Sequence, residues 1–174
     1  MEDFLNQVEQ AASDARFYYL ALLGALAVPD MCGALESQDG LATGAKYQGW
    51  VDTHVAPLHT QPWAGNQPFL SGEDCYMFRC SFLHQGRTQH PRSGYSRILF
   101  IEPGAPSPFR GHMNILNDAL HIDIYSFCIE MVGAARSWLA GVVGTEPYES
   151  NFAAFVHRYP TGLAPYIVGI PVIS

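Results

Sequence analysis

The amino-acid sequence predicts an all-α fold: a helical bundle with one small β-hairpin inserted at about residues 96–122. Three observations predict it. Phe4, Val8, Ala11, Ala12, Ala15, Tyr18, Tyr19, Leu22 and Leu26 recur at helical spacing through the first 28 residues. A second long run, Ile124 to about Val143, places Tyr125, Phe127, Cys128, Met131, Val132, Ala135 and Leu139 on one face behind the capping residue Asp123. Strand composition, by contrast, is confined to Ser96–Ile101 and a return over His112–Ile122.

Taken in order, the first helical pattern becomes apolar on every side after Phe17, as a central bundle helix does. Its apolar run Phe17–Val28 is twelve residues, too short to span a bilayer. Pro29-Asp30 is expected to interrupt it, with Asp30 capping a short helix through Glu36. A turn at Gln38-Asp39-Gly40 leads to a helix from Thr43 to about Val55, stopped by Pro57. The proline-rich stretch 56–70 is a loop. Ser71 then caps a helix whose first turn holds Glu73 and Asp74 and which Gly86 ends. A polar loop (86–95), the first strand, a Gly/Pro loop (103–111), the return strand and the long helix follow. Glu149–Arg158 reads as a short helix, and the apolar tail 159–174 as a cover for the bundle or for a partner subunit.

With 174 residues and no repeat or charged linker, the chain reads as one domain, 1–174. Apolar residues make up 48% and charged residues only 14%, against about 25% in average chains. A surface so poor in charge suggests a homodimer. The net charge of −7 excludes a protein that coats nucleic acid through its overall charge. The distribution matters more. Residues 1–74 hold ten acids and two bases, while residues 75–101 hold four arginines (Arg79, Arg87, Arg92, Arg97) and no acid. Cys32, Cys75, Cys80 and Cys128 lie in apolar surroundings behind an acidic N-terminus, the pattern of reduced cysteines in a cytoplasmic protein.

The helix that opens at Ser71 is apolar on nearly every side, yet it carries Arg79 and His84. Burying a guanidinium costs several kcal/mol unless an acid or an anion receives it. One return is an internal pair with Glu73, Asp74 or another acid. The other is an anion site. At about 100° per residue, five positions put Arg79 and His84 about 140° apart. Three arrangements could still join them: the arginine stem wraps toward the histidine, the helix deforms, or two copies meet across a two-fold axis. Histidine can take a 2′-hydroxyl proton or protonate a leaving 5′-oxygen, and arginine can hold the phosphate between them, which is RNA cleavage without a metal.

The loop after this helix adds Arg87, His90, Arg92 and Tyr95, and Arg97 follows at the strand. These are candidate contacts to single-stranded RNA, with Tyr95 free to stack on a base. Cys75, Cys80, His84 and His90 are spaced too widely for a zinc finger, so no metal or cofactor is expected. His112 and His121 could point into one cleft, and His54 and His59 carry less weight. No Gly-x-Ser-x-Gly or phosphate-loop motif occurs, and a Cys80–His84 thiol pair lacks an orienting third group.

The stretch Arg79-Cys80-Ser81-Phe82-Leu83-His84-Gln85-Gly86 resembles the Arg-x4–6-His motif of the helical HEPN domains (higher eukaryotes and prokaryotes nucleotide-binding), often followed by glycine. The order of long helices, motif helix, hairpin and final helix is similar too, over about residues 1–145. The resemblance implies a metal-independent endoribonuclease or an RNA-binding relative, dimeric, with Arg79 and His84 as the catalytic pair. It also implies a setting in defence or toxin–antitoxin systems, with an antitoxin or other protein as partner. Active members commonly have a polar residue after the arginine, often asparagine; here it is Cys80, a poor hydrogen-bond donor. The alternative is a non-catalytic interaction or scaffold module in which Arg79 and His84 are structural.

Overall fold

The computed structural model describes residues 1–103 and 111–174, so the Gly/Pro loop expected at 103–111 lies almost wholly outside the described residues. The helices are α1 (Glu2–Ala12), α2 (Tyr18–Leu35), α3 (Gly44–His54), α4 (Gly72–Gln85), α5 (Ile124–Val142) and α6 (Tyr148–Phe152). The strands are β1 (Thr60–Gln61), β2 (Gln67–Pro68), β3 (Arg97–Ile101), β4 (Asn114–Leu116), β5 (Ala119–Asp123), β6 (Arg158–Tyr159), β7 (Gly162–Leu163), β8 (Ile167–Val168) and β9 (Val172–Ile173). About 52% of the described residues are helical and 15% are strand, spread over several small sheets. The all-α expectation is therefore wrong: the fold is mixed.

The error lies in the sheet and the tail. A single antiparallel hairpin over 96–122 was expected, but β3 runs parallel to β5, with Arg97 beside Ala119 and Ile101 beside Asp123. The reason is a second reversal. Asn117 and Asp118 both have positive φ, 52° and 59°, which is the two-residue turn that twists correctly into a hairpin. It folds β4 antiparallel onto β5 and turns β5 to run with β3, giving the order β3-β5-β4. In the tail, β6 pairs with β9 and β7 with β8. The helix expected to reach Arg158 stops at Phe152, because the His157 backbone is drawn into paired hydrogen bonds with Ser174. Tyr166, Val168 and Ile173 remain exposed, so the bundle does not take them.

Around these strands the helical part follows its apolar pattern. α2 is the central helix and packs against α1, α3, α4, α5 and α6. Ala21, Ala25, Leu26, Val28 and Cys32 have no exposed surface. α5 lays Phe127, Cys128, Met131, Val132 and Ala135 against it, and burying each large member of that set contributes about 1.5–3 kcal/mol. The expected break at Pro29-Asp30 does not occur: α2 continues to Leu35. Pro29 withholds one helical hydrogen bond, but Val28, Cys32 and Leu35 are buried among the surrounding helices and keep the helix whole. The helical segment Ala15–Leu35, longer than the twelve-residue apolar run read from sequence, is long and apolar enough to cross a membrane, and half of its most apolar 18-residue window is buried in the fold. The expected continuous helix through Ser13 is instead divided, with Asp14 capping a short 3₁₀ turn before α2.

α4 has the predicted boundaries. Ser71 Oγ accepts the Asp74 amide, Asp52 on α3 accepts the Gly72 amide at 2.6 Å, and Gly86 closes the helix in the left-handed conformation. Gly72 is required there, since a Cβ would lie 2.2 Å from the Gln48 carbonyl oxygen. One polar group on this helix is unsatisfied. Ser81 is 1% exposed and its hydroxyl has no hydrogen-bond partner among the described residues. Ser81→Ala should therefore stabilise the protein by about 1 kcal/mol and raise the melting temperature by about 2–4 °C. A lower melting temperature would mean that the hydroxyl is satisfied in solution.

Candidate functional site

Arg79 and His84 come together without a second subunit. Arg79 Nη1 lies 3.0 Å from His84 Nε2. Of the three arrangements open from sequence, the first holds: the arginine stem wraps along α4, which the helical-wheel angle does not capture. Arginine has no acceptor, so it donates and His84 Nε2 receives. The neutral ring then carries its proton on Nδ1.

The guanidinium is held from its other side by Asp30 on α2. Nε donates to Asp30 Oδ2 at 2.9 Å and Nη2 reaches the same oxygen at 2.8 Å. The pair sits at the rim, with 21% and 19% of the two side chains exposed. Burial pushes the Asp30 carboxyl up, more than the neighbouring Arg79 charge pulls it down. Asp30 lies 49 residues from Arg79 and follows the proline that does not break α2, which is why the sequence did not identify it as the partner. His84 itself is exposed in the last turn of α4.

The basic loop is tied back to the same helix. Asp74 Oδ1 accepts the Gly94 amide at 2.9 Å and the Ser93 hydroxyl at 3.2 Å, while the Tyr95 hydroxyl donates to the Phe69 carbonyl. Arg87, His90 and Tyr95 line an open cleft of about 570 Å³ with Gln89, Ser96 and Asp118. Arg92 is exposed beside it, and its amide donates to His90 Nδ1 at 3.2 Å. Arg97 is exposed at the start of β3. Among the described residues, none of Arg87, Arg92 and Arg97 forms an ion pair. Arg79 and His84 do not line this cleft, so the predicted residues form an anchored pair on α4 and a separate basic loop C-terminal to it.

Cys80, after the motif arginine, neighbours both Arg79 and Tyr76, and its sulfur is the main influence raising the Tyr76 hydroxyl. It is half-buried, whereas Cys32, Cys75 and Cys128 are buried. Burial raises all three buried thiols, Cys75 and Cys128 to about 12 and Cys32 well above its ordinary value. With an aromatic disulfide reagent at neutral pH, one thiol per native chain should react, Cys80, and four after unfolding. Rapid reaction of a second thiol would contradict this burial.

A further cluster went unseen in the sequence. Glu130, on α5, receives His59 at 2.8 Å and His112 at 3.0 Å. These residues are separated from Glu130 by 71 and 18 positions and share no motif, so no local signal could have joined them. His112, which the sequence offered as able to share a cleft with His121, belongs to this cluster.

No family model matches the chain, and no curated protein or solved structure is significantly similar to it.

Proposed function

We propose that the chain is a HEPN-like endoribonuclease acting on single-stranded RNA, with Arg79 and His84 as its catalytic pair. The observation that carries the reading is the 3.0 Å contact between Arg79 Nη1 and an exposed His84 Nε2. Arg87, His90, Arg92 and Arg97 follow that pair in the chain, and the three arginines among them have no acidic partner among the described residues. They guide the RNA strand, with Tyr95 lining the cleft that Arg87 and His90 share. A cytoplasmic homodimer, paired with an antitoxin or another protein, is the setting we infer.

In this reading the RNA phosphate takes Arg79 Nη1 away from His84, which frees the Nε2 lone pair. Nε2 accepts the 2′-hydroxyl proton while the 2′-oxygen attacks phosphorus. The bond to the 5′-oxygen breaks, and a protonated His84, of the same or the second subunit, returns the proton to it. The products are a 2′,3′-cyclic phosphate and a 5′-hydroxyl. Arg79 holds the charge that develops on the phosphate oxygens, and Asp30 keeps its fork oriented. No metal is needed for these steps.

The alternative, a non-catalytic interaction module, draws support from the Arg79–Asp30 pair, which already satisfies the charge. Incubating the purified protein with single-stranded RNA and EDTA separates the two. Fragments ending in cyclic phosphate support the nuclease; RNA bound or ignored but never cut supports the module.

A further inference from the structure

Glu130 sits in the body of α5, and its two carboxylate oxygens face different histidines. Oε1 is 2.8 Å from Nε2 of His59, which lies in the segment leading into β1, and Oε2 is 3.0 Å from Nε2 of His112, which precedes β4. The two rings stand edge to face with centroids 4.8 Å apart. All three ligand atoms lie within 4.8 Å of one another. Among the described residues, this is the one group of three or more His, Cys, Asp or Glu side chains whose ligand atoms converge in this way.

The cluster is partly sheltered, with 32%, 16% and 24% of the His59, His112 and Glu130 side chains exposed. At neutral pH a glutamate side chain is a carboxylate, acceptor only, so each imidazole that hydrogen-bonds it presents an Nε2 proton. Two imidazole N–H groups aimed at one carboxylate leave a positive charge in the middle of three ligand atoms as the natural replacement for the two protons.

We propose that His59, His112 and Glu130 form a binding site for a first-row divalent transition ion of the zinc type. Two imidazole nitrogens and one carboxylate oxygen are the donor set of open, three-ligand sites, in which water fills the remaining position. Magnesium and calcium prefer oxygen ligands throughout. The three ligands come from separate parts of the chain, so the ion also ties the segment after α3 and the segment before the β4–β5 hairpin to α5. Each Nε2 must surrender its proton to coordinate. In His59 the proton moves to Nδ1. In His112, Nδ1 accepts the Asp123 amide at 3.2 Å, so coordination at Nε2 protonates Nδ1 and displaces that hydrogen bond. The Asp123 amide is thus a built-in reporter. These groups belong to other elements than α4, and the site stands or falls independently of the reading of Arg79 and His84.

The test is equilibrium dialysis of the full chain, stripped with EDTA and then freed of it, against zinc and separately against magnesium. One zinc per chain and no magnesium is the expected result. His59→Ala, His112→Ala and Glu130→Gln should each weaken zinc binding by more than the roughly 10–100-fold that loss of an outer partner of a metal ligand costs. Zinc should raise the melting temperature of the parent and not of Glu130→Gln, which keeps the side chain's shape. It should also shift the Asp123 amide resonance. Cobalt substitution should give visible bands without sulfur-to-cobalt charge transfer. Absence of zinc binding, binding unchanged in the three variants, or a cobalt–thiolate band would each overturn the assignment.

Discussion

His84→Ala is expected to slow cleavage of single-stranded RNA by about 10²–10⁴-fold, the range a positioned general acid or base supplies, while the melting temperature stays within about 2 °C of the parent. The two halves of this expectation come from the same observation. The imidazole is exposed at the last turn of α4, and among the described residues its one hydrogen-bond partner is Arg79 Nη1. An exposed side chain with one such contact contributes little to folding. In the proposed reaction the same imidazole is the proton acceptor that the phosphate frees by drawing Arg79 Nη1 away from it, so its loss removes the base. If His84→Ala instead lowers the melting temperature by 10 °C, the residue is a structural element of α4 and the interaction-module reading gains.

Asp30 separates into two outcomes. Asp30→Ala is expected to cost about 2 kcal/mol, because it leaves the Arg79 guanidinium without its carboxylate, and Nε and Nη2 without that acceptor, at a site only about one-fifth exposed. Asp30→Asn keeps an acceptor oxygen and should cost nothing at neutral pH. The sign follows from the raised carboxyl. A group whose folded value lies above its ordinary 3.8 contributes stability that is fully present below that value and is lost as pH rises through the folded value. At neutral pH the ionised Asp30 is therefore a net burden that asparagine does not carry. Thermal melts from pH 3 to 8 should show Asp30→Asn gaining on the parent as pH rises above about 4, and Asp30→Ala below both near neutrality. A parent more stable than Asp30→Asn at every pH would reverse the balance between burial and the Arg79 charge. RNA binding should not weaken in Asp30→Asn, since the guanidinium loses its competing anion.

Local chemistry made α4 and α5 legible. Ser71, Gly86 and Asp123 act within a few residues of the helix ends they define, and each does in the structure what its type predicts. Features set by distant packing were not legible. Nothing near Pro29 announces that the surrounding helices will keep α2 continuous, and nothing near Arg79 points to Asp30. The sheet failed for a smaller reason. Asn117-Asp118 is a turn signal inside what read as one strand, and missing it reversed the direction of β5. For Arg79 and His84 the helical spacing left three arrangements open, and nothing local selected the wrap of the arginine stem along α4 that brings the two together. The His59–His112–Glu130 cluster had no signature at all, being assembled by the tertiary fold alone.

The central claim is that Arg79 and His84 act on RNA as one unit. A cycle of cleavage rates tests it most directly: the parent, Arg79→Ala, His84→Ala and the double variant, measured in EDTA well below their melting temperatures. Groups that work together lose their effect together, so the double variant should be no slower than the slower single one. A double variant slowed by the product of the two single losses would contradict the claim, as would cleavage that survives in His84→Ala at the parent's rate.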